Sequence, residues 1–353
     1  MFGNLKRWWF KSYEEYILYA QNKFHRWLGV ESFFYYLAQL FDIEVYYTEG
    51  NEEQIKRLSQ YCKVRKYTKP IKCDRFFSNY RCDVEFEAKE KYHIIHYDPL
   101  NVGFGTTYEK GWNYIGVSKV ACNGFEKITG HKPELIYNVV PIKKKGLKKY
   151  PGLNLISCTR LTAEKGLNRI VKLSNMLDKA GVEYTWTIYT NKTRKARSLI
   201  ESSNVVIKEQ QLNLYDEVEK SSFLVQLSDC ESFGLSVCES LILGTPVIIT
   251  DLEAFTEIGC DETNSIKCNF EMTNVDINKI VNGKFDFKYT PLKCEWSKYL
   301  DKPSYDPNEE IEVICKHKYF DLEKNISIPK GTKYKCRQAR ASYLEARDLV
   351  EIL

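Results

Sequence analysis

Glu231 and Glu239 lie eight positions apart in SDCESFGLSVCESLILGTPVIITD, residues 228–251, a segment otherwise rich in small and apolar side chains. Two carboxylates at this spacing, one in a loop and one about a turn inside the helix that follows, offer four acceptor oxygens to a ligand that carries hydroxyl groups. Between them Gly234 admits a close ligand, and the unpaired N–H groups of the helix start, from Leu235 onward, favour an anion such as a diphosphate. A second pair of polar groups, Arg160 and Lys165 in SCTRLTAEKGLNRIVKL (157–173), follows another short apolar run. Two cations facing a diphosphate offset the charge that builds on a leaving group as its bond to carbon breaks. Taken singly, each residue also has an ordinary structural explanation. Arg160 and Lys165 suit a solvated approach to a helix, Glu239 an exposed helix face, and Glu231 a charge favourable to a helix N-terminus.

The elements that must position these groups follow a strand–helix alternation. From residue 153 on, LNLISCTR, LNRIVKLSNMLDKAG, YTWTIYTN, NVVIKEQ, SSFLVQLSD and TPVIITD give the rhythm of a parallel-sheet α/β unit. The first half repeats it less clearly, with a strand in EYILYAQ (15–21), a helix in VESFFYYLAQLF (30–41), and strands in IEVYYTEG, KYHIIHYDP and WNYIGVSK. The expected architecture is α/β: two Rossmann-like doubly wound domains facing across a cleft, over residues 1–140 and 153–287. A linker rich in Pro, Gly and Lys, 141–152, joins them. A helix is expected over 288–305 to cross back and brace the first domain. After the break at DKPSYDPNEE, residues 309–353 read as a small α+β appendage of two or three strands and a short helix. In such folds ligands bind at the carboxyl ends of the strands. His96, which follows KYHII next to Asp98 and Pro99, belongs there, while His93, three residues earlier, points to the other face.

Composition narrows the class. The chain has 353 residues, 43% hydrophobic and 28% charged, the balance of a water-soluble globular protein, and no apolar run of spanning length. The start has no apolar segment followed by a small-residue cleavage site, so a cytoplasmic location is expected. The twelve cysteines are scattered, none in CxxC spacing, and only five histidines are present, which leaves little for a metal site. The net charge of +5 is uneven: residues 1–150 carry 25 Lys and Arg against 17 Asp and Glu, and the remainder is acidic. Trp8, Trp9 and Phe10 among three cations suit either a helix packed on the first domain or a membrane surface.

The E-x7-E spacing of Glu231 and Glu239 followed by GTPVIITDLEAFTEIG, together with R-L-x-x-x-K-G at 160–166, resembles the retaining glycosyltransferases of GT-B fold, group 1 and family 4-like. The resemblance implies transfer of a hexose from a nucleoside diphosphate sugar, a UDP-sugar foremost, with retention and without a metal or other cofactor. By position it places Arg160 and Lys165 on the diphosphate, Glu231 on the transferred sugar, Glu239 on the ribose and His96 on the donor sugar. Gly29 stands where the family has paired glycines before its first helix, Leu28 replacing one of them. The glycine usual in the base-binding loop is missing from VIKEQQLNLYDEV. A nucleotide-sugar epimerase of the same fold, or an inactive sugar- or nucleic-acid-binding relative, are the alternatives. The acceptor is open between glycan, protein and DNA. The tail is loosely similar to small domains on bacteriophage and prophage proteins.

Overall fold

The six strands between residues 153 and 268 form a single all-parallel sheet in the computed structural model, which describes residues 8–10, 29–48, 50–79, 84–101, 105–191, 194 and 198–353. Strands of the first half are β1 (Trp8–Phe10), β2 (Glu44–Tyr47), β3 (Lys63–Lys66), β4 (Ile71–Ser78), β5 (Phe86–Ile95), β6 (Asn113–Gly116) and β7 (Glu134–Leu135). Those of the sheet after residue 152 are β8 (Leu153–Cys158), β9 (Tyr184–Thr190), β10 (Val205–Glu209), β11 (Phe223–Gln226), β12 (Val247–Thr250) and β13 (Ser265–Cys268). The tail holds β14 (Glu310–Cys315), β15 (Tyr319–Asp321), β16 (Ile326–Ile328), β17 (Lys333–Arg337) and β18 (Val350–Ile352). Helices are α1 (Gly29–Leu40), α2 (Glu52–Leu58), α3 (Lys119–Thr129), α4 (Leu167–Lys179), α5 (Tyr215–Lys220), α6 (Leu235–Ile242), α7 (Glu253–Glu257), α8 (Ile277–Asn282) and α9 (Gln338–Ala346). Among the described residues no helix is long and apolar enough to cross a membrane.

The large sheet has the order β10-β9-β8-β11-β12-β13. β11 and β12 are buried at every position, which explains their unbroken apolar runs. Helix α4 buries Leu167, Ile170, Leu173 and Leu177 on one face, the helical spacing of its sequence. Because the chain winds outward from β8 in one direction and from β11 in the other, the crevice between these two strands is the point where the strand order reverses.

In the first half, β4-β5-β6-β7 form a parallel sheet and β1-β2-β3 a smaller one. Trp8, Trp9 and Phe10 pair antiparallel with Tyr47, Tyr46 and Val45, so this aromatic run is an edge strand and not the expected helix. The strand expected over 15–21, and Leu28, lie outside the described residues. Helix α1 buries Phe33, Phe34, Tyr35, Tyr36, Leu37 and Ala38, apolar nearly all round, as a helix enclosed by protein must be.

A further expectation needs correction. The segment 288–305 is not a helix. It is an irregular strap with one short 3-10 turn, Trp296–Lys298. Pro291 and Pro303 leave little room for a helix, and the strap satisfies its backbone on the first half instead. Asp301 O accepts from Asp42 N–H (3.0 Å), Tyr299 O accepts from Arg75 (2.9 Å), and the buried Trp296 indole donates to Tyr137 O (3.0 Å). The segment 141–152 has no regular structure but is not a loose tether either. The N–H groups of Lys145, Gly146 and Leu147 all donate to the Glu219 carboxylate, at 2.6–3.1 Å, and Lys149 Nζ donates to Ser221 O and Thr245 Oγ1.

The tail has five strands instead of two or three, and α9 packs on β3. As the last strand of its sheet, β3 has an open edge. Buried Ser342 of α9 closes it: its Oγ accepts from Val64 N–H (2.9 Å) and donates to Cys62 O (3.3 Å), bonding both backbone groups as a neighbouring strand would. Tyr47 OH donates to Ala346 O, and Ala346 is part of the core shared with α1 and β2. Replacing Ser342 with Val keeps the shape but leaves Val64 N–H buried without an acceptor. Ser342→Val is expected to lower stability by about 1–3 kcal/mol, read as a shift of the urea midpoint.

Candidate functional site

Two loops leave the adjacent strands β8 and β11 at their carboxyl ends, and four contacts stitch them together. Asp229 N–H donates to Glu164 O (2.9 Å), Arg169 Nε donates to Leu227 O (2.9 Å), Arg169 pairs with Asp229, and Lys165 Nζ lies 2.6 Å from Glu231 Oε1. Gly166 makes this approach possible. Its φ is +74°, and a Cβ there would sit 1.8 Å from the Leu227 carbonyl oxygen, so no other residue fits. The glycine of the K-G pair in the sequence is thus required by the close passage of α4 over the end of β11.

Glu231 is held by three donors on one oxygen: Lys165 Nζ, Ser228 Oγ (2.8 Å) and Gln226 Nε2 (3.2 Å) all meet Oε1. Oε2 has no hydrogen-bond partner among the described residues. Gly234, φ +85°, is the N-cap of α6, and its missing side chain avoids Phe255, 2.6 Å from where a Cβ would stand. The first residues of α6, Leu235 and Ser236, line a cleft of about 240 Å³. Arg160, Lys165, Glu231, Gly234, Leu235 and Glu239 all line it too, so six of the eight residues singled out in the sequence converge on one space. Among the described residues the Arg160 guanidinium has only a long contact, with Glu164 (3.9 Å).

The cleft lies at the strand-order reversal, and its opposite wall comes from the first half: Ser32 of α1 and Gln54 and Arg57 of α2. Here the structure adds residues that the sequence reading missed. Tyr36 OH donates to Glu239 Oε1 (2.5 Å) and meets Tyr215 OH (2.9 Å), whose oxygen also accepts from Arg57 (3.4 Å). Arg57 further donates to Asn213 Oδ1 (3.1 Å) and lies over the Tyr35 ring. Asn213 takes a left-handed conformation, φ 61°, in the loop where the sequence lacks the expected glycine; Asn is among the few residues that tolerate it. No local pattern announces Tyr36 or Arg57, because their partners are more than 150 positions away.

Neither His96 nor Gly29 lines the cleft. His96 follows β5, and its ring packs edge-on against Phe33 (4.6 Å), with Nε2 buried and without a partner among the described residues. Burial, reinforced by nearby His93, lowers its pKa to about 3, so it stays neutral. Its tie to the site runs through the backbone, where His96 O accepts from Ser232 Oγ (2.6 Å). Gly29 is the first residue of α1, one turn before Ser32, which does reach the cleft. His93 sits on the opposite face of the sheet beside Tyr114 (5.6 Å), as strand alternation requires. Among the described residues no group of three His, Cys, Asp or Glu side chains is arranged to hold a metal ion.

Residues 141–284 match the model of the family described as glycosyl transferases group 1. An uncharacterised 41.2 kDa protein of the cps region of Klebsiella pneumoniae is 26% identical over 169 residues, 44% of this chain and 45% of that protein. The match thus spans less than half the length of that relative. Similar solved structures include the pneumococcal O-GlcNAc transferase GtfA in complex with UDP and GlcNAc (16% identity, TM-score 0.44, covering 56% of this chain and 46% of that one). Another is Anabaena HepE in complex with UDP and glucose (13% identity, TM-score 0.44, covering 56% and 64%). A third is WaaG, a glycosyltransferase involved in lipopolysaccharide biosynthesis (15% identity, TM-score 0.42, covering 63% and 68%). The matched segment contains all six cleft residues predicted from the sequence, and the first half adds Ser32, Gln54 and Arg57 to the lining.

Burial raises the Glu239 pKa from 4.5 to about 7, against the opposing pull of the Tyr36 hydrogen bond and the Arg57 charge. The folded state therefore binds more protons than the unfolded chain between these values. The stability this contributes is present below about pH 4.5 and is lost as pH rises through about 7. Glu239→Gln, which cannot ionise, is expected to flatten that decline, compared by urea unfolding of both proteins at pH 5 and pH 7.5.

Proposed function

We propose that the protein is a glycosyltransferase that moves a hexose from a nucleoside diphosphate sugar, a UDP-hexose first, to an acceptor, with retention of anomeric configuration and without a metal. The observation that carries this reading is the cleft at the β8–β11 reversal, where a cation pair, a helix N-terminus and two carboxylates line one space. The diphosphate lies against the start of α6 with Arg160 and Lys165 on its oxygens. Glu239 takes the ribose diol, and Glu231 Oε2 accepts from a hydroxyl of the hexose. The bond from the anomeric carbon to the phosphate oxygen breaks as the acceptor oxygen bonds to that carbon on the same face. The acceptor proton passes to the departing phosphate oxygen, so no protein base is required. Glu231 orients the sugar. Lys165, already paired with Glu231, couples the sugar to the leaving group through one contact.

His96 contributes by position: its backbone holds the Ser232 end of the Glu231 loop, and its neutral ring supports α1 through Phe33. The acceptor, a glycan, a protein or DNA, is bound mainly by the basic first half. Binding of DNA would weaken steeply with salt.

Calorimetric titration with UDP-, GDP- and ADP-hexoses in EDTA tests the donor. Binding of one UDP-hexose is the expected result, and none at all refutes the reading. Arg160→Ala and Lys165→Ala are each expected to reduce turnover by about 10²-fold or more, the scale of losing one group that stabilises developing charge. Glu239→Ala is expected chiefly to raise KM. The anomeric proton coupling of the product, read by NMR, reports retention or inversion.

A further inference from the structure

The hairpin β15–β16 carries an apolar tip that no described part of the chain covers. Phe320 is 55% exposed, Leu322 84% and Ile326 50%, all within seven residues. This tip is built and held. Asp321, fully buried, accepts at Oδ1 from Glu323 N–H (3.0 Å), Lys324 N–H (3.1 Å) and the Arg340 guanidinium (2.8 Å). Asn325 completes the turn in a left-handed conformation, φ 54°. Arg340 also pairs with Glu323 (2.6 Å), and it belongs to α9, the helix anchored on β3. The projecting side chains are therefore fixed to the body of the protein.

The charge around the tip is mainly positive. Residues 316–335 include six lysines and two acidic residues, and all six lysines are exposed. Both acidic residues, Asp321 and Glu323, are engaged by Arg340. Lys316 pairs with Asp348 and Lys324 lies over the Tyr334 ring, whereas Lys318, Lys330 and Lys333 have no carboxylate partner among the described residues. Apolar side chains that project beyond a lysine rim fit a surface that is anionic outside and apolar beneath. A protein partner fits less well. Two side chains projecting from one face fall far short of the roughly 800 Å² per partner of a stable interface, and lysine is depleted from interface cores.

We propose that this hairpin docks the protein on an anionic lipid surface, with Phe320 and Leu322, which share the outer face because Ile326 pairs with buried Asp321 on the inner one, entering the boundary between headgroups and acyl chains and the lysines facing headgroup phosphates. The site is separate from the donor cleft and does not depend on the reaction proposed for it. Cosedimentation of the full chain with vesicles of phosphatidylcholine, alone or mixed with phosphatidylglycerol, tests it. The expected result is binding to the mixed vesicles only, weakened by added salt. Phe320→Glu, Leu322→Glu and the triple change Lys318→Glu, Lys330→Glu, Lys333→Glu are each expected to lower vesicle affinity at least about tenfold. All of these side chains are exposed, so thermal midpoints should stay unchanged. Wild-type protein that ignores both vesicles, or a Leu322→Glu variant that binds as well as wild type, overturns the proposal. So does a concentration-dependent dimer that Leu322→Glu dissociates while neither protein binds vesicles, since the hairpin then joins two copies of the chain.

Discussion

The contact between Lys165 and Glu231 is the interaction around which the second half of the protein is arranged. The ammonium and the carboxylate, 2.6 Å apart, come from the loops after the adjacent strands β8 and β11, where the sheet reverses its winding order. Gly166 admits the close passage, Arg169 clamps the loop ends, and Ser228 and Gln226 add their donors to the same carboxylate oxygen. With one oxygen of Glu231 fully engaged, the geometry of the other is set. Such an oxygen, held in place before any ligand arrives, costs little reorganisation when it is used.

Joining the halves is a separate problem, and the chain solves it through a few polar contacts around buried aromatic groups. Tyr36, Tyr215 and Arg57 form a chain of hydrogen bonds that ends on Glu239, so the carboxylate at the cleft floor is also a joint between the halves. A carboxylate in that position is poorly solvated, which is why its protonation is shifted into the neutral range. The strap carrying Trp296 closes the other side, with the indole set between Phe33 and Phe77. Glu239 thus belongs both to the joint between the halves and to the lining of the cleft.

The same economy appears in the connection and the tail. The lysine-rich stretch 143–149 is placed by its backbone N–H groups, three of which converge on Glu219; the carboxylate resists its own burial through those bonds and is held below its usual pKa. The tail closes the free edge of β3 through one serine and at its far end exposes a hairpin that no other described residues cover.

By itself, the sequence determined the α/β class, the parallel strands after residue 152 and the local positions of Arg160, Lys165, Glu231, Gly234, Leu235 and Glu239. These depend on short-range matters: apolar runs of strand length, helical spacing and glycines at turns. It also showed that His93 and His96 face opposite ways, since strand alternation is a local rule. Tertiary structure alone decided that Trp8–Phe10 pairs as a strand, that 288–305 is a strap, and that α9 belongs to the core of the first half. Each of these depends on which distant backbone groups are available to bond, and periodicity carries no record of that. It decided equally that Tyr36 and Arg57 reach Glu239 and Tyr215, and that the His96 ring turns toward Phe33 and away from the cleft. Such contacts arise when two halves, each with its own local pattern, are brought face to face, and only the folded chain brings them together.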